Sequence, residues 1–165
     1  MAIDYIKEAE KYRPEVIKTL LVGEAPPPNG QTYFYLPKEL NNTTSIQNDR
    51  SLPATIFCHY FGKRPEGLTE YIQFLNALKN IGVFLVDIYD EPIVVRGSHE
   101  GEQKIVEAIP KLYTKLQERG IDMKAQQTIF LLARNSYAKH IRRHFPYAER
   151  ITWKKFRMEN GEKTP

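Results

Sequence analysis

Three short runs of apolar and β-branched residues, at positions 16–22, 83–88 and 128–133, fix most of what this chain can become. Each is too short for a typical helix and lacks the apolar/polar alternation of a half-exposed strand. Each therefore reads as a strand buried on both faces. The first stops abruptly at Gly23-Glu24-Ala25-Pro26-Pro27-Pro28, where consecutive prolines oppose a helix start and make a rigid loop. The second carries Asp87 near its end, and the third stops at Arg134-Asn135-Ser136.

Helical patterns fill the intervals. Positions 4–11 read as a short helix closed by Arg13-Pro14, because the residue before proline avoids the helical region. Ser51 can cap a second helix with Pro53 in its first turn and Ile56, Phe57, Tyr60 and Phe61 inward. Positions 68–81 place Leu68, Tyr71, Ile72, Leu75 and Leu78 on one stripe, with Gly82 as the stop. Positions 100–119 turn Ile105, Ile109, Leu112 and Leu116 inward, and Pro110 should kink or split that helix. Asn135 or Ser136 can cap a last helix, with Tyr137, Ile141 and Phe145 inward, that ends before Pro146. Positions 150–153 suggest a final edge strand, and the polar stretch 41–50 a surface loop. Buried strands alternating with helices predict an α/β fold: a parallel sheet with helices on both faces. In such sheets ligands bind at the C-terminal strand ends.

A length of 165 residues suggests one domain, 1–165. An apolar fraction of 41% and a charged fraction of 27% exclude disorder along the whole chain. No apolar run approaches the ~20 residues that span a bilayer, so no membrane partner is expected. The first eleven residues are charged and lack an apolar signal core, which makes the cytoplasm the expected location. The single cysteine, Cys58, excludes an intrachain disulfide, a Cys-rich zinc site and a four-cysteine iron–sulfur cluster. None of the four histidines has a metal-ligand partner at persuasive spacing, so neither a metal nor another cofactor is expected. No phosphate-binding Gly-x-x-x-x-Gly-Lys loop or dinucleotide fingerprint occurs. A monomer is the default. Charge is uneven: nine Lys/Arg against three acids give the segment 134–165 a net +6, while the rest carries −2. Arg134, Lys139, Arg142 and Arg143, with Asn135 and Ser136, are candidate contacts to a phosphate backbone; the alternative is a solvated helix face and a basic tail.

Three segments lie at the C-terminal strand ends, 23–30, 87–90 and 134–137, and the first two, with the aromatic triplet beyond, carry the candidate chemistry. Glu24 stands just past the first strand, and the small Gly23 and Ala25 let the backbone approach a ligand. A carboxylate there can orient a water or stabilise a developing cation, or it can simply face solvent in a turn. Tyr33, Phe34 and Tyr35 can stack on a base, or they can cover an edge of the core. Asp87 is an acid emerging from an apolar strand, or a helix-capping turn residue, whereas Asp90 and Glu91 read as solvated.

The segment Leu20-Leu21-Val22-Gly23-Glu24-Ala25-Pro26 resembles the first motif of the uracil-DNA glycosylase superfamily, in the form of its iron–sulfur branch. Ile81-Gly82-Val83-Phe84-Leu85-Val86-Asp87 is similar to that superfamily's Gly-Val-Leu-Leu-Leu-Asn strand. Ile129-Phe130-Leu131-Leu132-Ala133-Arg134-Asn135-Ser136-Tyr137-Ala138-Lys139 is similar to its Val-Phe-Leu-Leu-Trp-Gly-Ser-Tyr-Ala-Gln segment. The resemblance implies a three-layer α/β/α sandwich around a mainly parallel four-stranded sheet. It also implies a protein that flips a nucleotide and cleaves its glycosylic bond. On that view Glu24 and Ala25 occupy the water-handling motif, Tyr33 to Tyr35 the base-stacking position, and Asp87 the position that reads the base edge. The chain departs from the family at four points. Ala25 replaces the Asp of the best-studied branch, and Asp87 replaces an Asn. An ionised Asp only accepts hydrogen bonds, which suits a base other than uracil, or none. The His-Pro-Ser motif and the iron–sulfur cysteines are absent from the sequence.

Three functional readings follow. One is a divergent member of that superfamily recognising or excising a nucleobase in DNA, with Glu24 and Asp87 as its catalytic candidates and Gly23, Ala25 and the aromatic triplet holding the base. Another is a nucleic-acid binder without catalysis on the same scaffold. The third is a nucleotide or metabolite binder using the strand-end cleft.

Overall fold

The computed structural model describes residues 3–28, 33–37, 51–93, 99–133 and 135–159, without the side chain of Asn135. Four strands form one all-parallel sheet in the order β2-β1-β3-β4. They are β1 (Thr19–Gly23), β2 (Val83–Asp87), β3 (Gln127–Leu132) and β4 (Glu149–Thr152). Seven helices accompany them among the described residues: α1 (Tyr5–Glu10), α2 (Leu52–Phe61), α3 (Leu68–Asn80), α4 (His99–Ala108), α5 (Leu112–Glu118), α6 (Ala138–His144) and α7 (Trp153–Met158). The architecture is a three-layer α/β/α sandwich.

The sheet is the core. Leu20, Leu21, Val22, Phe84, Phe130 and Leu131 are inaccessible to solvent, although successive residues point to opposite faces. Both faces must therefore be covered, as a parallel sheet requires. Burying each such side chain contributes roughly 1.5–3 kcal/mol. β1 starts three residues later than its apolar pattern suggests, since Val16 is 68% exposed. Its entry is pinned by Gly82, whose carbonyl accepts from both Lys18 N–H (2.7 Å) and Thr19 N–H (3.0 Å). Gly82 has φ +84°, and a Cβ there would lie 2.8 Å from Lys18 Cγ, so glycine serves both as the stop of α3 and as the close approach to β1.

The helix patterns hold with local corrections. Ser51 caps α2 by accepting from Ala54 N–H, and Pro53 lies in the first turn. Pro110 splits its helix into α4 and α5, joined by a 3₁₀ turn over Ile109–Lys111. Ile72, placed on the inward stripe of α3, is 36% exposed; Tyr71, Leu75 and Leu78 carry the packing. The last predicted helix begins as a 3₁₀ turn, Asn135–Tyr137, and Tyr137 at the N-cap of α6 makes no side-chain cap bond. β4 is the expected edge strand, but Trp153 belongs to α7, which the sequence reading had no signal for. The stretch 41–50 and residues Asn29, Gly30 and Arg134 lie outside the described residues.

β2 forms the other edge, and an aromatic plug closes it. Tyr33, Phe34 and Tyr35 are all buried. The Tyr35 hydroxyl accepts from the otherwise outward Leu85 N–H at 2.8 Å. The Tyr71 hydroxyl donates to the Phe34 carbonyl at 2.8 Å, and the Tyr33 hydroxyl to the Tyr5 carbonyl at 3.3 Å. Tyr35 stacks on Tyr12 and Phe34 packs beside Phe57, so the rings join α1, α2 and β2. Burial pushes the Tyr33 and Tyr35 phenols far above the ordinary range, and it pushes Tyr60 up to about 12.

Two outcomes follow. Tyr35→Phe strands a buried N–H and should destabilise the fold by about 1–3 kcal/mol, read by chemical denaturation. Raised phenol pKa values also make stability pH-dependent. Below the unfolded value, near 10, the contribution of Tyr33, Tyr35 and Tyr60 is fully present. It is lost as pH rises further, because only the unfolded chain ionises. Denaturation midpoints should fall steeply above pH 10, and ultraviolet titration should find these three phenols protonated at pH 11 in the folded protein.

Candidate functional site

The order β2-β1-β3-β4 makes β1 the point from which chain connections run in opposite directions. The crevice between the C-terminal ends of β1 and β3 is therefore the topological switch point. Glu24 stands there. Its Oε2 accepts from Ala133 N–H at 3.1 Å, a bond from the end of β1 to the end of β3. Its backbone carbonyl accepts from Tyr89 N–H at 2.9 Å, so the loop after β2 holds the same residue from the other side. Half-buried and tied to two neighbouring strand ends, Glu24 is a positioned carboxylate rather than a solvent-facing turn residue.

Gly23 explains the spacing beside it. Gly23 and Asp87 are register partners, and Asp87 Oδ1 lies 2.8 Å from where a Cβ on residue 23 would sit. Leu52 Cδ2, from the first turn of α2, lies 3.5 Å from the same point. The missing side chain thus makes room for a carboxylate, and Ala25 continues the buried path. Glu24 and Asp87 stand on adjacent strand ends on either side of Gly23. Asp87 is 7% exposed.

Lys115 closes the end of β2. Its Nζ donates to the carbonyls of Asp87 (3.0 Å) and Ile88 (2.8 Å) and to Asp90 Oδ1 (3.0 Å). Asp90, read from sequence as solvated, is instead a half-buried ion-pair partner. Beside it lies a cavity with about 10 Å³ of free volume, lined by Tyr5, Ile6, Tyr33, Asp87, Asp90 and Arg119 among others. That space holds about one water and no heterocycle. Burial is the main cause of Tyr33's raised pKa, and the negative charge of Asp87 adds to it. Arg119 meets Glu10 only at 3.9 Å, and its Nε and Nη2 are buried without a hydrogen-bond partner.

The sequence-derived candidates therefore divide. Gly23, Glu24, Ala25 and Asp87 come together with Ala133 at the C-terminal rim of the sheet. Tyr33 and Asp87 both line the water-sized cavity, and Phe34 and Tyr35 pack along the β2 edge. Lys139, Arg142 and Arg143 are exposed at i, i+3 and i+4 of α6, hence on one helix face, and Ser136 is exposed just before them. Arg134 and the side chain of Asn135 lie outside the described residues. Lys115, Arg119 and Ala133 were not singled out from the sequence. Among the described residues no three His, Cys, Asp or Glu side chains come together as a metal site, and no helix is long and apolar enough to cross a membrane. Compared with known proteins, the chain matches no family model, no curated protein and no solved structure.

Gly23→Ala tests the rim. The added Cβ must displace a buried carboxylate, and the expected loss is about 1–3 kcal/mol. In an Asp87→Ala background the same change should cost clearly less, which a double-mutant denaturation cycle measures.

Proposed function

We propose that this chain recognises a nucleobase in DNA and excises it, with the switch-point crevice as its site. The observation that carries the reading is the Glu24 carboxylate, fixed across β1 and β3 by the N–H of Ala133, which is itself followed a few residues later by the cationic face of α6. Excision is a hydrolysis that a positioned anion assists. A water adds to the sugar C1′, the bond from C1′ to the base nitrogen breaks, and the base leaves with a proton. Glu24 orients that water or stabilises the positive charge developing on the sugar. Lys139, Arg142 and Arg143 hold backbone phosphates, which position the duplex without reading its sequence. The resemblance of the three strand-end segments to uracil-DNA glycosylases supports the same chemistry.

Binding without excision is the second reading. Burial of the aromatic triplet favours it, since those rings lend no open stacking face.

One set of measurements separates the two. Duplexes carrying uracil, hypoxanthine or xanthine are incubated with the protein and assayed for abasic sites, while anisotropy follows binding. Excision predicts abasic sites on at least one duplex and a loss of about 10²–10³ in rate for Glu24→Gln. Binding predicts an affinity that falls log-linearly with salt, with the slope reduced by about 2 in the Arg142→Ala/Arg143→Ala double variant. Binding with no abasic product leaves only the second reading, and absence of both overturns the proposal.

A further inference from the structure

The small cavity beside β2 lies behind the rim. Ile6 and Ala9 of α1, Tyr33 of the aromatic plug, Asp87 at the end of β2 and Arg119 just after α5 line it, and its free volume is about 10 Å³. That is the size of a single water. Asp87 and Asp90 on its wall oppose an anion, and Arg119 opposes a cation. The occupant that suits it is a small neutral molecule that both donates and accepts hydrogen bonds.

Polar groups turn into this space from two sides. The Arg119 side chain is 12% exposed, and its Nε and Nη2 find no acceptor among the described residues. These two nitrogens share one edge of the planar guanidinium. Nη2 meets Glu10 Oε2 at 3.9 Å, too long for a hydrogen bond and a gap that a water can bridge. Glu10 follows Ile6 by four residues on α1, hence lies on the helix face that lines the cavity, so the same edge of Arg119 turns to the cavity. On the other side stands β2. Ile88 N–H donates to Gly23 of β1, so strand alternation turns the backbone groups of Leu85 and Asp87 outward, where Leu85 N–H meets Tyr35 and the Asp87 carbonyl meets Lys115. The Leu85 carbonyl points the same way, and Leu85 lines the cavity. The Tyr33 phenol lies in the field of both charges: burial chiefly raises its pKa, Asp87 adds to the rise and Arg119 opposes it.

We infer that one resident water in this cavity accepts from Arg119 and donates to the Asp87 carboxylate, which makes Arg119 the positioning residue of the rim's buried acid. Buried donors ordinarily find a partner, and a water with two to four polar neighbours is the usual one where the protein supplies none. The bridge holds Asp87 from behind, while Gly23 leaves it room in front. Arg119 itself touches no ligand. It acts through the water and through its charge on the carboxylate at the end of β2. The inference stands apart from the nucleobase reading, since it concerns how Asp87 is held and not what meets it.

Two measurements on the full chain test it, and neither involves DNA. The first is a crystal structure at a resolution that shows ordered waters. One water should lie within hydrogen-bond distance of both Arg119 and the Asp87 carboxylate. A dry cavity, a water that touches only one of the two, or a direct contact between them overturns the inference. The second follows the carboxyl carbon of Asp87 by NMR as pH is lowered, with the resonance assigned by its loss in Asp87→Asn. The charged and titratable neighbours are Asp90 and Lys115 beyond β2, Tyr33 in the plug, Glu10 on α1 and Glu24 at the adjacent strand end. Arg119→Met keeps the length of the side chain but removes the cation, so Asp87 should titrate at higher pH than in the unaltered protein. A folded Arg119→Met variant, judged by circular dichroism, in which Asp87 titrates unchanged overturns the inference. The crystal structure needs no variant, so it decides the matter if Arg119→Met does not fold.

Discussion

β1 is hydrogen-bonded on both sides, to β2 over its whole length and to β3 through Val22. Its side chains from Leu20 to Val22 have no contact with solvent. The other parts of the rim take their positions from this strand. Gly23 sets where Asp87 can lie, and Glu24 is caught between the loop after β2 and the end of β3. Breaking the register of one buried parallel strand would turn its side chains to the opposite face, so the rim inherits the rigidity of the core. A carboxylate held this way is already ordered, which is the condition for effective electrostatic stabilisation.

The two edges of the sheet are treated differently. At β2 the Tyr35 hydroxyl satisfies Leu85 N–H, and aromatic packing covers the strand. At β4 the strand is four residues long, carries Glu149 and Arg150, and runs directly into α7. A tyrosine plug on one side and a short, charged strand on the other both oppose edge-to-edge pairing with another chain. The aromatic triplet thereby acquires a structural task that accounts for its burial without any ligand.

Much of this fold was legible in the sequence because it is local. Buried strands announce themselves as apolar runs, Ser51 and Pro53 mark the start of α2, and Pro110 divides α4 from α5. The strand-end position of Glu24 and Asp87 was legible for the same reason. Trp153 was not, since one residue shifts it from the end of β4 to the start of α7. Lys115 and Arg119 were hidden by distance: Lys115 bonds to carbonyls 27 and 28 residues away, and Arg119 pairs with Glu10 across most of the chain. The triplet showed its composition in the sequence but not its surroundings, and only contacts with Tyr12, Tyr71 and Leu85 decide that its rings face inward. Ile72 failed for a simpler reason: it lies at the margin of the α3 stripe, and periodicity alone does not set the stripe's width.

The proposed binding site lies between the ends of β1 and β3. Amide chemical shifts of the ¹⁵N-labelled protein, followed while a lesion-bearing duplex is added, test it most directly. Binding there is expected to give the largest changes at Gly23, Glu24 and Ala133, because a ligand at the Glu24 carboxylate alters the hydrogen bond that Ala133 N–H donates to it. Changes confined to α6 and α7, with these three amides unmoved at saturation, would contradict it.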